Sequence, residues 1–223
     1  MMRIARVVPT WLAITFCFAA TLRAQAPASG DTRAYAEING GATLGHKSDL
    51  SVGGEAGYRV MPQLDVFGEV GHIGNAASAD LESRANVIAN NVGATANVVA
   101  KVNYFDFGVR YRFVIRTPNV HPYVAAGIGG AHVSTETTLS INGATVPEGT
   151  LVTFGSDLNG SQTSAFFMLG GGTTISFASR YFADVSYRFG RVFGKSETVG
   201  SESVTVLNAF NTNRVQIGLG IKF

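Results

Sequence analysis

From Arg214 to Phe223 the chain alternates without a break: Val215, Ile217, Leu219, Ile221 and Phe223 fall on one side of an extended backbone, and Arg214, Gln216, Gly218, Gly220 and Lys222 on the other. A side-chain period of two builds a strand with two unlike faces and does not build a helix with one apolar stripe. The same code runs from Phe105 to Phe113, where Phe105, Phe107, Val109, Tyr111 and Phe113 oppose Asp106, Gly108, Arg110 and Arg112. It returns from Tyr181 to Gly190, with Tyr181, Ala183, Val185, Tyr187 and Phe189 opposite Phe182, Asp184, Ser186, Arg188 and Gly190. Weaker copies occupy 34–45, 51–60, 64–73, 122–133 and 164–177, which brings the strand count to eight.

The connections are 46–50, 61–63, 74–99, 114–121, 134–163, 178–180 and 193–209. Apart from the first, they alternate between long and short, so tight turns gather at one end of the sheet and loops at the other. This layout predicts an all-β fold, an eight-stranded antiparallel transmembrane up-and-down β-barrel. A strand needs only about 9–11 residues to cross a bilayer, whereas a helix needs about 20 apolar ones. No apolar run of helix-spanning length follows residue 25. Pro62, Pro118 and Pro122 sit in or beside the short connections, where a missing amide donor does little harm.

Periodicity alone also fits a secreted soluble barrel with apolar residues inward. The composition of the two faces separates the cases. The apolar face is rich in valine, phenylalanine and tyrosine, while the polar face combines small residues with Glu37, Glu55, Asp65, Glu69, Asp106 and Asp184 as acids and Arg59, Arg110, Arg112, Arg188, Arg214 and Lys222 as bases. A basic residue facing lipid near the midplane costs about 2–4 kcal/mol, so the charged face must line the lumen. An eight-stranded barrel is narrow enough for side chains to fill. The expectation is therefore a lumen closed by an ion-pair network among these twelve residues. Glycines at 108, 127, 129, 170, 172, 190, 218 and 220 fall on the inward face and leave room for arginine and aromatic side chains. They complete no G-x-G-x-x-G or Walker pattern.

The N-terminus reads as an address. Arg3 and Arg6 precede an apolar stretch from Val7 to Leu22, and Ala24-Gln25-Ala26 supplies the small residues of a cleavage site. Residues 1–26 are thus expected to be a cleaved secretory signal peptide and 27–223 the barrel domain. Pro9 interrupts the run, which argues against a membrane anchor, and bulky Phe16 before Cys17 argues against lipoprotein processing. Cleavage would change the formal charge from +2 to −1 and remove Trp11 and Cys17, each the sole residue of its type. No basic surplus then speaks for nucleic acid, and disulfides and cysteine-ligated metals are excluded.

Across residues 30–223 the chain resembles the small outer-membrane β-barrel family that includes the OmpA membrane domain and OmpX. The strongest local sign is Val215, Ile217, Leu219, Ile221 and Phe223, similar to the family's C-terminal assembly signal. The resemblance implies a bacterial outer-membrane location with periplasmic termini, recognition by the barrel assembly machinery and periplasmic chaperones, and a surround of outer-membrane lipids and lipopolysaccharide. No peptidoglycan-binding domain like the one that follows the OmpA barrel is read after the last strand.

Catalytic chemistry finds little support. Gly71-His72-Ile73-Gly74-Asn75-Ala76 faintly resembles the His-x-Ser-Asn-Ala pattern of lipid A deacylases, but Gly74 stands where the nucleophilic serine belongs. His46 and His132 are expected at the outer rim and His121 by an inner turn, so no shared metal site, and no cofactor, is expected. Tyr35, Tyr58, Phe113, Tyr123, Phe177, Tyr181 and Phe223 lie at strand ends as interfacial aromatics do, with Tyr35 and Tyr123 expected to turn inward. Loops 74–99 and 134–163 are the places for specific function, and Asn142-Gly143 is a hairpin signal for a sheet protruding beyond the membrane, the alternative being a mobile polar loop. The reading is a non-enzymatic outer-membrane protein with a structural or adhesion-like role, able to meet a surface ligand through its loops. The alternative is a narrow porin or conduit for small molecules.

Overall fold

The computed structural model describes residues 33–147, 152, 154–199 and 202–223. The segment read as a signal peptide lies outside them. The elements are β1 (Ala34–Thr43), β2 (Leu50–Met61), β3 (Leu64–Ile73), α1 (Ala79–Asn90), β4 (Thr95–Arg112), β5 (Val120–Ile141), β6 (Ala144–Val146), β7 (Gly160–Ser176), β8 (Tyr181–Val192), β9 (Lys195–Val199), β10 (Glu202–Leu207) and β11 (Phe210–Lys222).

Eight strands close into a ring through antiparallel pairings in the order β4-β3-β2-β1-β11-β8-β7-β5, with β5 returning to β4. Closure leaves no open edge within the ring, which is why strands can cross hydrocarbon at all, where backbone N–H and C=O groups must find their partners within the protein. Ile38, Val66, Phe107, Ile128, Val185 and Ile217 project outward and are exposed, while Glu55, Asp106, Arg110, Arg188 and Arg214 project inward and are buried. Near the tight turns the outer surface carries Tyr111 against Phe113, ring centroids 5.3 Å apart, and Phe177 stacked on Tyr181 at 6.4 Å. Tyr35 and Tyr123 turn into the lumen.

Three strands outrun the others. β4 has 18 residues, β5 has 22 and β7 has 17. The segment 74–99 therefore holds α1 and the start of β4, and 134–163 holds the end of β5, all of β6 and the start of β7. Asn142 (φ 50°) and Gly143 (φ 81°) make the turn from β5 to β6, with both residues in the left-handed region that this two-residue hairpin requires. Residues 193–209, read as a connection, contain the separate two-stranded pair β9–β10.

The helix is set by local rules. Ser78 caps it by accepting from the Leu81 amide, and Asp80 and Glu82 stand in its first turn, where the helix dipole favours acids. Ala85 and Ala89 are fully buried on one side, and Gly93 (φ 67°) follows the helix C-terminus. Ala77, Ala85, Ala89, Ala94, Val98, Leu139, Phe154 and Leu158 form a small apolar core above the loop end of the barrel.

Candidate functional site

The inward-facing charges gather in three groups. Glu55 lies at the centre of the first: Arg110 Nη2 donates to its Oε1 at 2.5 Å, Arg188 Nη2 to its Oε2 at 3.0 Å, and the Tyr35 hydroxyl to Oε1 at 2.6 Å. The Arg110 guanidinium also sits 4.1 Å from the centroid of the Tyr123 ring, an aromatic face that favours a cation. In the second group the Tyr104 hydroxyl donates to Glu69 at 2.7 Å, and Arg214 lies 3.6 Å from Glu69 while donating to the Tyr104 hydroxyl. In the third, at the turn end, Asp65 is shared by Arg112 at 3.0 Å and Arg59 at 3.7 Å.

Four of the twelve predicted residues are not in ion pairs among the described residues. Asp184 accepts from the Tyr123 hydroxyl at 2.8 Å and from Thr174 at 3.1 Å, and Lys222 donates to Ser176 at 2.6 Å. Glu37 and Asp106 are buried with side-chain oxygens that have no hydrogen-bond partner among the described residues. The expected pairing of six acids with six bases is corrected by strand register. Glu37, Glu55, Glu69 and Asp106 are consecutive cross-strand neighbours on β1 to β4, so like charges stand side by side. Arg188 and Arg214 are likewise direct cross-strand partners on β8 and β11. Arg188 and Arg214 reach the acids only by crossing the lumen.

Glycine makes that reach possible on the β7 wall. A Cβ at Gly170 would lie 2.7 Å from Arg188 Cδ, and one at Gly172 would lie 2.8 Å from the Tyr123 hydroxyl. The polar-face reading placed Phe182, Tyr35 and Tyr123 inward but missed most of the remaining aromatic and apolar filling. Phe67, Tyr104, Phe166, Met168 and Phe182 are buried inside, and toward the loops Ile73, Val102, Val133, Val192 and Leu207 form an apolar layer. Apart from Leu207, which lies on β10, their parity along the ring strands was the available signal, since each occupies an inward position of the alternation.

The histidines are dispersed. His72 Nδ1 meets Asn103 Oδ1 at 2.7 Å, His132 meets Thr163 at 3.0 Å, and His46 contacts Glu82. Among the described residues no three His, Cys, Asp or Glu side chains could hold a metal ion.

The core over the loop end is tied down by polar contacts. Lys47 donates to Glu82 at 2.9 Å, Arg84 pairs with Asp157, and the Thr137 hydroxyl donates to the Leu158 carbonyl at 2.6 Å. The Lys47 hydrogen bond and then that of His46 hold the Glu82 carboxyl below its ordinary value of 4.5. On β4, beyond the reach of β3, Asn75 Oδ1 accepts the Ala100 amide and Asn86 Oδ1 accepts the Ala96 amide, both at 3.0 Å.

A closed ring of eight antiparallel strands, apolar outside and charged inside, defines a small transmembrane β-barrel. The chain belongs to the outer membrane protein β-barrel domain family, whose model matches residues 12–223. Neisserial surface protein A shares the fold at 15% identity and a TM-score of 0.51, over 85% of this chain and 96% of that one. A major outer membrane protein from Thermus thermophilus does so at 12% identity and a TM-score of 0.52, over 85% and 99% respectively. No curated protein sequence matches.

Proposed function

We propose that this outer-membrane barrel has a structural and surface-interaction role, with a lumen closed to solutes and a folded cap that meets the environment. The observation that carries the reading is the convergence of Arg110 and Arg188 on Glu55, all three buried and braced by Tyr35 and Tyr123, beneath the apolar layer of Ile73, Val102, Val133 and Leu207. A conduit would need a continuous lumen past these side chains or a lateral opening between strands. The cap supports the second half of the reading: a packed core with its own ion pairs holds a defined surface above the barrel, as a partner-binding platform requires.

The turn end, with both ends of the ring's chain path, then faces the periplasm, and the loop end faces lipopolysaccharide and the medium. Val215, Ile217, Leu219, Ile221 and Phe223 serve as the recognition strand for the barrel assembly machinery after delivery by chaperones. No catalytic role is assigned, because Gly74 leaves His72 without a nucleophile. Planar-bilayer recording tests the closed lumen. The expected result is no reproducible conductance above the bare bilayer, and discrete open levels from the purified protein would replace this reading with the conduit.

A further inference from the structure

We propose that the turn end of the barrel binds the phosphate of an anionic phospholipid headgroup. A groove of about 300 Å³ opens there, and its lining joins two unlike chemistries: the cationic or ionisable side chains Arg59, Arg112, His121 and Lys222, and the apolar turn residues Val114 and Ile115. Asp65 is the one carboxylate at this mouth among the described lining residues, and Arg59 and Arg112 already share it. Among the described residues Lys222 is hydrogen-bonded only to the neutral Ser176 hydroxyl, with its ammonium 5.6 Å from the centroid of the Phe182 ring. A free anion would use the basic half of the groove and gain nothing from the rest. A phospholipid uses both halves. Its phosphate meets Arg112 and Lys222, and its glycerol and first methylenes lie along Val114 and Ile115, which are exposed beside the outward ring of Phe113. The orientation proposed above decides only which leaflet supplies the lipid, the inner one; the binding chemistry does not depend on it.

The test counts lipids on the full chain folded in detergent micelles, by native mass spectrometry during titration with phosphatidylglycerol or phosphatidylcholine. Phosphatidylglycerol is expected to be retained at least about fivefold better, and Lys222→Gln and Arg112→Gln each to lower its retention about fivefold, the effect of one basic group at an anionic lipid surface. Lys222→Arg should restore it. Heat-modifiable gel mobility verifies that each variant is folded, and the contrast between the two lipids on the unaltered protein needs no variant. Equal retention of both lipids, or phosphatidylglycerol retention unchanged in both glutamine variants, overturns the proposal. Displacement of the lipid by an equal concentration of inorganic phosphate makes the free ion the ligand and overturns it as well.

Discussion

The part of the molecule inside the ring and the part above it use the same alternation with opposite sign. Along lower β4, Phe105, Phe107 and Val109 face outward while Asp106 and Arg110 face inward; along its upper end, Val98, Ala100 and Val102 are buried inside while Asn97 and Lys101 are exposed. β5 repeats the switch, with Val124 and Ile128 outward below and Val133 and Leu139 inward above. The difference follows from the medium. Hydrocarbon outside the ring rewards an apolar exterior, and the closed ladder holds the wall, so the interior can be charged. Above the membrane water lies outside, and the sheet must bury apolar side chains beneath α1 to stay folded.

The sharpest way to break this contrast is Glu55→Ala. It leaves Arg110 and Arg188 buried without their shared acid and should cost about 3–5 kcal/mol in urea unfolding from lipid vesicles, the range for a broken buried pair. Leu139→Ala acts on the other region. It should cost about 2–3 kcal/mol as a cavity in the cap, read as faster proteolysis of 74–99 and 134–163 with heat-modifiable mobility of the barrel unchanged. If the barrel loses stability too, the two regions are one cooperative unit and the contrast fails. Ser78→Ala removes the cap of α1 and should cost about 1 kcal/mol of helix stability, measured by hydrogen exchange across Ala79–Asn90. The smallest effect is pH-dependent. Because Glu82 is held below 4.5 in the folded protein, its contribution is full above that value and fades as pH falls through the lower folded one. Protease sensitivity of 74–99 should rise over that acid window, and Glu82→Gln should weaken the pH dependence, leaving the part carried by the Arg84–Asp157 pair.

The sign change also explains what could be read from the sequence. The eight ring strands were legible because Phe105 to Phe113 and Val215 to Phe223 keep apolar residues outward throughout. The upper ends of β4, β5 and β7 were not, because a reader following apolar-outward parity meets Val98, Val133 and Leu139 on the wrong face. α1 escaped notice because the residues it buries most deeply are alanines, Ala85 and Ala89, which give little contrast with its exposed side. In the lumen, residue types were legible and partners were not. Whether Glu69 neighbours an arginine or Asp106 depends on register, and a strand's own alternation carries no information about its neighbour's offset.

The two asparagines that cover the projecting edge of β4, Asn75 before α1 and Asn86 within it, have a consequence for assembly. A strand that projects past its neighbour normally offers a row of free amides on which another chain can crystallise. Asn75 and Asn86 occupy the Ala100 and Ala96 amides, so the protein denies that template to its own copies in a crowded membrane plane.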